Sequence, residues 1–114
     1  MSVVAREQSP RLPFGAEEVS DTGMRMAELG VPPGTPFNGS HWTVEPGGSS
    51  PVDVHAVDEI WMVASGEGEL VYDGSERIPL RAGEVVHFAP MRSHEVINHG
   101  AVPLSVFSVW WQGG

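Results

Sequence analysis

The chain has 114 residues, room for one domain. Six Lys and Arg stand against 15 Asp and Glu, a net charge of −9, which argues against nucleic acid and anionic membrane as partners. There is no cysteine, so disulfides, thiolate-bound zinc, iron–sulfur clusters and thiol catalysis are excluded. No apolar run approaches the ~20 residues of a membrane span. The first residues lack the basic start and apolar centre of a secretory leader, so the expected location is cytoplasmic. With 14 Gly, 10 Pro and only 18% charged residues, the composition points to a turn-rich all-β domain.

Residues 1–23 are interrupted by Pro10, Pro13 and Gly15 and read as an N-terminal arm. The arm is either a tail or a strand that pairs with the domain or a second subunit, with Phe14 to anchor it. A weak helical pattern over 16–25 is undercut by Thr22 and Gly23. The domain itself is expected over 24–114. Short apolar runs then alternate with turn signals every 8–12 residues, the mark of a sandwich or barrel. Strands are expected at 24–29, 41–44, 59–65, 69–72, 76–80, 84–88, 94–98 and 104–111. Asp73-Gly74 is a strong hairpin turn pair between the fourth and fifth of these.

Two clusters carry chemistry. In the first, Asp53 and His55 are two apart and share a face of an extended chain, and Glu59 returns to that face. In the second, His94 shares a face with Val96 and Asn98. Two histidines and one carboxylate form the minimal open ligand set for catalytic zinc or non-haem iron. Asp53 is a candidate fourth ligand.

These segments resemble the two motifs of the cupin superfamily. The first motif is matched by Gly47, Asp53, His55, Glu59 and Gly66. The second is matched by Gly83, Pro90, His94 and Asn98, and the resemblance covers roughly 40–111. It implies a double-stranded β-helix (a jelly-roll barrel) with a metal inside, held by His55, Glu59 and His94. There are two departures. Asp53 stands where the first histidine would be, and Pro90-x-Arg92-x-His94 lacks the usual glycine and is one residue short. The Asp, His, Glu, His set suits Zn, Fe(II), Mn or Ni, with zinc or iron foremost.

Around that site, Trp61, Phe88, Arg92 and Trp110 are expected to form the substrate pocket. His87 and His41 are the candidate acid/base residues, with Asp53 as an alternative. Asn98 is expected to bond backbone in its turn, and Asp58 to point away from Glu59. Ile60 and Met62 lie on the face opposite the ligands, which favours a homodimer. The resulting expectation is a metal-dependent enzyme acting on a small polar metabolite by Lewis-acid or O2 chemistry. The alternative class is a non-catalytic small-molecule-binding or sensor module. The Glu59–Trp61 and Ser108–Trp111 stretches also loosely resemble the zinc-binding cupin unit of hydrazine synthetases. That resemblance implies N–N bond formation from an amino acid and an N-hydroxylated amine, with a separate synthetase-like partner.

Overall fold

A computed structural model describes residues 10–113. Nine strands follow in chain order: β1 Glu18–Val19, β2 Met24–Glu28, β3 Asn38–Val44, β4 Asp58–Ser65, β5 Glu67–Tyr72, β6 Glu76–Arg81, β7 Val85–Phe88, β8 His94–Ile97 and β9 Leu104–Trp111. They form two antiparallel sheets. The larger has the order β1-β2-β3-β9-β4-β7, the smaller β6-β5-β8. No described residue is helical, so the all-β expectation holds and the helical pattern over 16–25 does not form. None of the described residues belongs to a helix long and apolar enough to cross a membrane.

Strict alternation builds the barrel. Along β4 the odd residues Glu59, Trp61 and Val63 are buried, while Ile60 and Met62 turn outward. The inward residues of the larger sheet are Trp42, Val44, Trp61, Val63, Phe88, Leu104 and Val106. They meet Leu70, Leu80 and Val96 from the smaller sheet in one core. The outer face of the larger sheet is less polar than a solvent face usually is. It exposes Phe14, Val85 and Phe107 beside half-buried Met62 and Ile60.

The arm is partly explained. Gly15 N donates to Glu28 O at 2.8 Å, Gly30 N donates to Pro13 O at 2.7 Å, and Phe14 bridges to Leu29. With β1 against β2, this segment extends the sheet edge. Residues 1–9 lie outside the described residues. β3 begins three residues earlier than the apolar pattern suggests, because Gly39 and Ser40 are strand residues without apolar side chains. A side chain at 39 would press on Leu29 and on Ser108 O, both about 3.1 Å from the added carbon.

Two glycines separate turn strain from steric exclusion. Asp73 (φ 50°) and Gly74 (φ 80°) make the left-handed turn expected of an Asp-Gly pair, and nothing lies within 4 Å of a carbon added to Gly74. Gly66 is also left-handed (φ 80°), but its missing side chain lets Pro103 O and Leu104 Cα approach. Gly74→Ala should cost about 1 kcal/mol, the left-handed penalty alone. Gly66→Ala should cost at least ~3 kcal/mol, since backbone must also move. Urea denaturation of the two variants reads the difference directly, and equal midpoints would contradict this account.

Candidate metal centre

Three segments converge at one end of the barrel. Glu59 comes from β4, flanked in register by Trp110 of β9 and Phe88 of β7. His94 opens β8 in the other sheet. Asp53 and His55 lie on the irregular stretch between β3 and β4, which is tied down by backbone bonds. Asp53 N donates to His94 O and His94 N to Asp53 O, each at 3.0 Å. Ser50 N donates to Val96 O, Val96 N donates back to Ser50 Oγ, and Met91 N donates to His55 O. Proximity in space therefore replaces proximity in sequence for two ligands 41 residues apart.

One ligand atom each from Asp53, His55 and His94 lie within 4.8 Å of one another. Glu59 Oε1 is 3.3 Å from His94 Nε2 and 3.7 Å from His55 Nε2. His55 and His94 are thus shared by two carboxylates: Asp53, which groups with them within 4.8 Å, and Glu59, whose Oε1 faces both. Glu59 and His94 are 6% and 3% exposed, so their polar atoms depend on protein partners rather than on water.

Those partners are unequal. Glu59 Oε2 accepts from Ser108 Oγ at 2.9 Å and from Trp61 Nε1 at 3.3 Å. Ser108 Oγ in turn accepts from Trp42 Nε1 at 3.3 Å. Glu59 Oε1 is buried with no hydrogen bond, because its contact with His94 is not aligned as one. One carboxylate oxygen is locked and the other is left facing two imidazole nitrogens. His94 Nδ1 lies 3.2 Å from the Arg92 carbonyl, which can only accept, so this nitrogen carries a proton and Nε2 is the atom turned to the cluster. Phe88 stacks on the His94 ring at 4.3 Å and Trp61 meets it edge-on at 5.2 Å. An orphaned buried carboxylate oxygen beside two imidazole Nε2 atoms is what a divalent cation completes, and the residues fit one.

The electrostatics agree. Burial alone would raise the Glu59 pKa. Contacts with His94 and Ser108, and attraction to the His94 and His55 rings, outweigh it and hold the carboxyl below its usual value of 4.5. A carboxyl depressed by folding adds stability that is present above its unfolded pKa and is lost as pH falls through the folded value. The melting-temperature gap between metal-free wild type and Glu59→Gln should therefore be present at about pH 5 and close as pH falls below 4.5. A gap that widens toward acid would reverse the sign.

The cavity beside these ligands has a volume of about 540 Å³, within the range of small-molecule sites. Trp61 and Trp110 line it as expected. Four expectations are corrected. His41 lies between the inward residues Ser40 and Trp42, so it points outward, where its Nε2 is 2.7 Å from Ser105 Oγ and its ring packs on Phe107. His87 pairs with Ile60 on the outer side, bonds Asp58 at 3.0 Å and stacks on Trp111. Neither histidine reaches the cavity. Phe88 is core beneath His94 rather than pocket wall. Arg92 is exposed and donates to Asp73 at 2.9 Å, away from the site. Asn98 does the expected backbone work, donating to Val44 O and Val102 O and accepting from Gly100 N. Asp58 faces away from Glu59, also as expected.

The sequence reading missed Glu28, Ser108 and Trp42. Met24, Met26 and Glu28 alternate along β2 and all line the cavity. Ser108 precedes Trp110 by two, so it shares the inward face of β9. Period-two counting would have found both sets.

A family model described as a cupin domain matches residues 40–110. A Cupin 2 conserved barrel domain protein from Salinispora arenicola is 34% identical, with a TM-score of 0.72, covering 87% of this chain and 92% of that one. A predicted oxalate decarboxylase from Thermotoga maritima has a TM-score of 0.75 at 22% identity, covering 93% and 97%. A sugar phosphate isomerase from Silicibacter pomeroyi has a TM-score of 0.70 at 23% identity, covering 90% and 72%. With the motif residues gathered at one end of an antiparallel barrel, the chain belongs to the cupin superfamily.

Proposed function

We propose that this cupin is a metal-dependent enzyme that binds a small metabolite in the 540 Å³ cavity beside a divalent ion. His55, Glu59 and His94 hold the ion, with Asp53 as the fourth ligand. The observation that carries the reading is Glu59 Oε1, buried without a hydrogen bond and facing two imidazole Nε2 atoms. A bound divalent ion supplies Lewis-acid chemistry to a coordinated substrate, and an O2 site if it is iron.

The chain's own residues do the rest. Ser108 and Trp61 fix Glu59 so that only Oε1 is free to coordinate. The Arg92 carbonyl fixes the His94 tautomer. Three tryptophans, Trp42, Trp61 and Trp110, wall the cavity. With His41 and His87 outside, proton transfer in the cavity falls to a carboxylate oxygen the ion leaves free, and the second oxygen of Asp53, whose carboxylate lies within 4.8 Å of both histidines, is the candidate.

The named activities of the similar structures do not transfer. Oxalate and sugar phosphates are strongly anionic, and among the described residues no arginine lines this cavity to receive a second negative group. The test is loading with Co(II) followed by azide titration, read by visible absorption. A Co(II) spectrum that shifts with azide supports an open, catalytic-type site. Failure to bind any divalent metal overturns the reading, and a spectrum silent to azide marks a closed structural site instead.

A further inference from the structure

The charge of the cavity is one-sided. Glu28, Asp53 and Glu59 all line it, and among the described residues no arginine does. The sequence contains no lysine at all; its basic residues are six arginines. Arg25, on the other face of β2 from Met24 and Met26, pairs with Glu17 and Glu45. Arg77 pairs with Glu69 and Arg92 with Asp73. Three carboxylates against one divalent ion leave the site one negative charge in excess.

The carboxylates are also divided in space. Asp53 and Glu59 belong to the imidazole cluster. Glu28 ends β2 on an exposed position, at the cavity's rim, and its carboxylate has no hydrogen bond or salt bridge among the described residues. Tryptophan rings and the side chains of Met24 and Met26 line the same cavity. Such walls favour a planar or apolar body. Tryptophan faces together with an unpaired carboxylate favour a cation over an anion.

We infer that the ligand is a small amine with an aromatic or apolar body and at most one anionic group, its ammonium end received by Glu28. This rests on the proposed metal reading and specifies its substrate class. Glu28 sets specificity by contact with the ligand and takes no part in holding the metal.

The probes are 4-(aminomethyl)benzoate, 4-methylbenzoate and terephthalate, which share a ring and one carboxylate and differ in the charge of the far end. Affinities are measured by tryptophan fluorescence and calorimetry on zinc-loaded and metal-free protein at one ionic strength. The aminomethyl compound should bind most tightly and terephthalate most weakly, at least tenfold apart. Glu28→Gln should bring the aminomethyl and methyl compounds within about twofold of each other, leave the affinity for 4-methylbenzoate unchanged and retain zinc. Terephthalate binding as well as the amine, no binding of the amine at millimolar concentration, or a Glu28→Gln variant with the wild-type order would each overturn the inference. Failure of the metal reading looks different: affinities would be the same with and without zinc, while the order among the three probes could still stand.

Discussion

Untagged protein should carry close to one equivalent of divalent metal per chain, and His94→Ala should carry essentially none. His94 is buried, its tautomer is fixed by the Arg92 carbonyl, and its Nε2 faces Glu59 and His55. Removing it deletes a ligand and opens a gap above Phe88. Glu59→Gln should lose metal to a similar degree, because an amide nitrogen or a neutral oxygen replaces the carboxylate while the packing stays. Ser108→Ala leaves all four ligands in place but frees Glu59 Oε2, and should weaken binding by about 10- to 100-fold, as loss of an outer hydrogen bond to a ligand commonly does. His41→Ala and His87→Ala should retain full occupancy, since both lie on the outer face. Asp53→Ala is the informative case. Loss of metal makes Asp53 a ligand, and retention leaves it as the proton-handling carboxylate of the cavity. Metal at about a thousand times its Kd adds ~4 kcal/mol to stability. For a domain of this size that is a melting-temperature rise on the order of 15 °C, absent in His94→Ala. Elemental analysis and thermal melts of wild type and the six variants read both quantities, and occupancy surviving in His94→Ala would sink the assignment.

How far the sequence carried this picture depends on which kind of information each residue needed. Asp53, His55 and Glu59 were legible through the first motif, although only Glu59 lies on a strand and the irregular 50–57 stretch, not a period of two, carries the other two to it. His94 was legible through the second motif, although only the pairing of β8 with the 50–53 segment brings it near. The face of β7 was not legible. His87 sits between Val86 and Phe88, apolar on both sides, so its own strand gives no phase. The phase is set by register with β4, where Phe88 meets Glu59 inside and His87 meets Ile60 outside. His41 failed in the same way, since the inward residue before it is Ser40, which carries no hydrophobic signal. Arg92 failed because its turn was rebuilt: Met91 adopts φ 68°, and the guanidinium swings to Asp73. Local alternation fixes which residues share a face, and only strand pairing fixes which face is inside.

Trp61→Ala should be among the most destabilising single substitutions in the chain, and Trp61→Phe should separate its two roles. The indole is 3% exposed and packs edge-on against Trp42 at 4.9 Å, Phe88 at 4.7 Å and His94 at 5.2 Å. Truncating a buried tryptophan to alanine costs about 3–5 kcal/mol, from lost transfer energy and the hole left behind. A domain of this size has a total stability on the order of 5–15 kcal/mol, so the alanine variant should be close to unfolding at 37 °C. Phenylalanine refills most of the volume but has no N–H. Trp61→Phe should therefore melt within about 10 °C of wild type while Glu59 Oε2 loses one of its two donors. Metal affinity should then fall by about tenfold, less than in Ser108→Ala, because the Trp61 bond is the longer of the two. If Trp61→Phe bound metal as tightly as wild type, Ser108 alone would orient the carboxylate, and Trp61 would be core packing and cavity wall only.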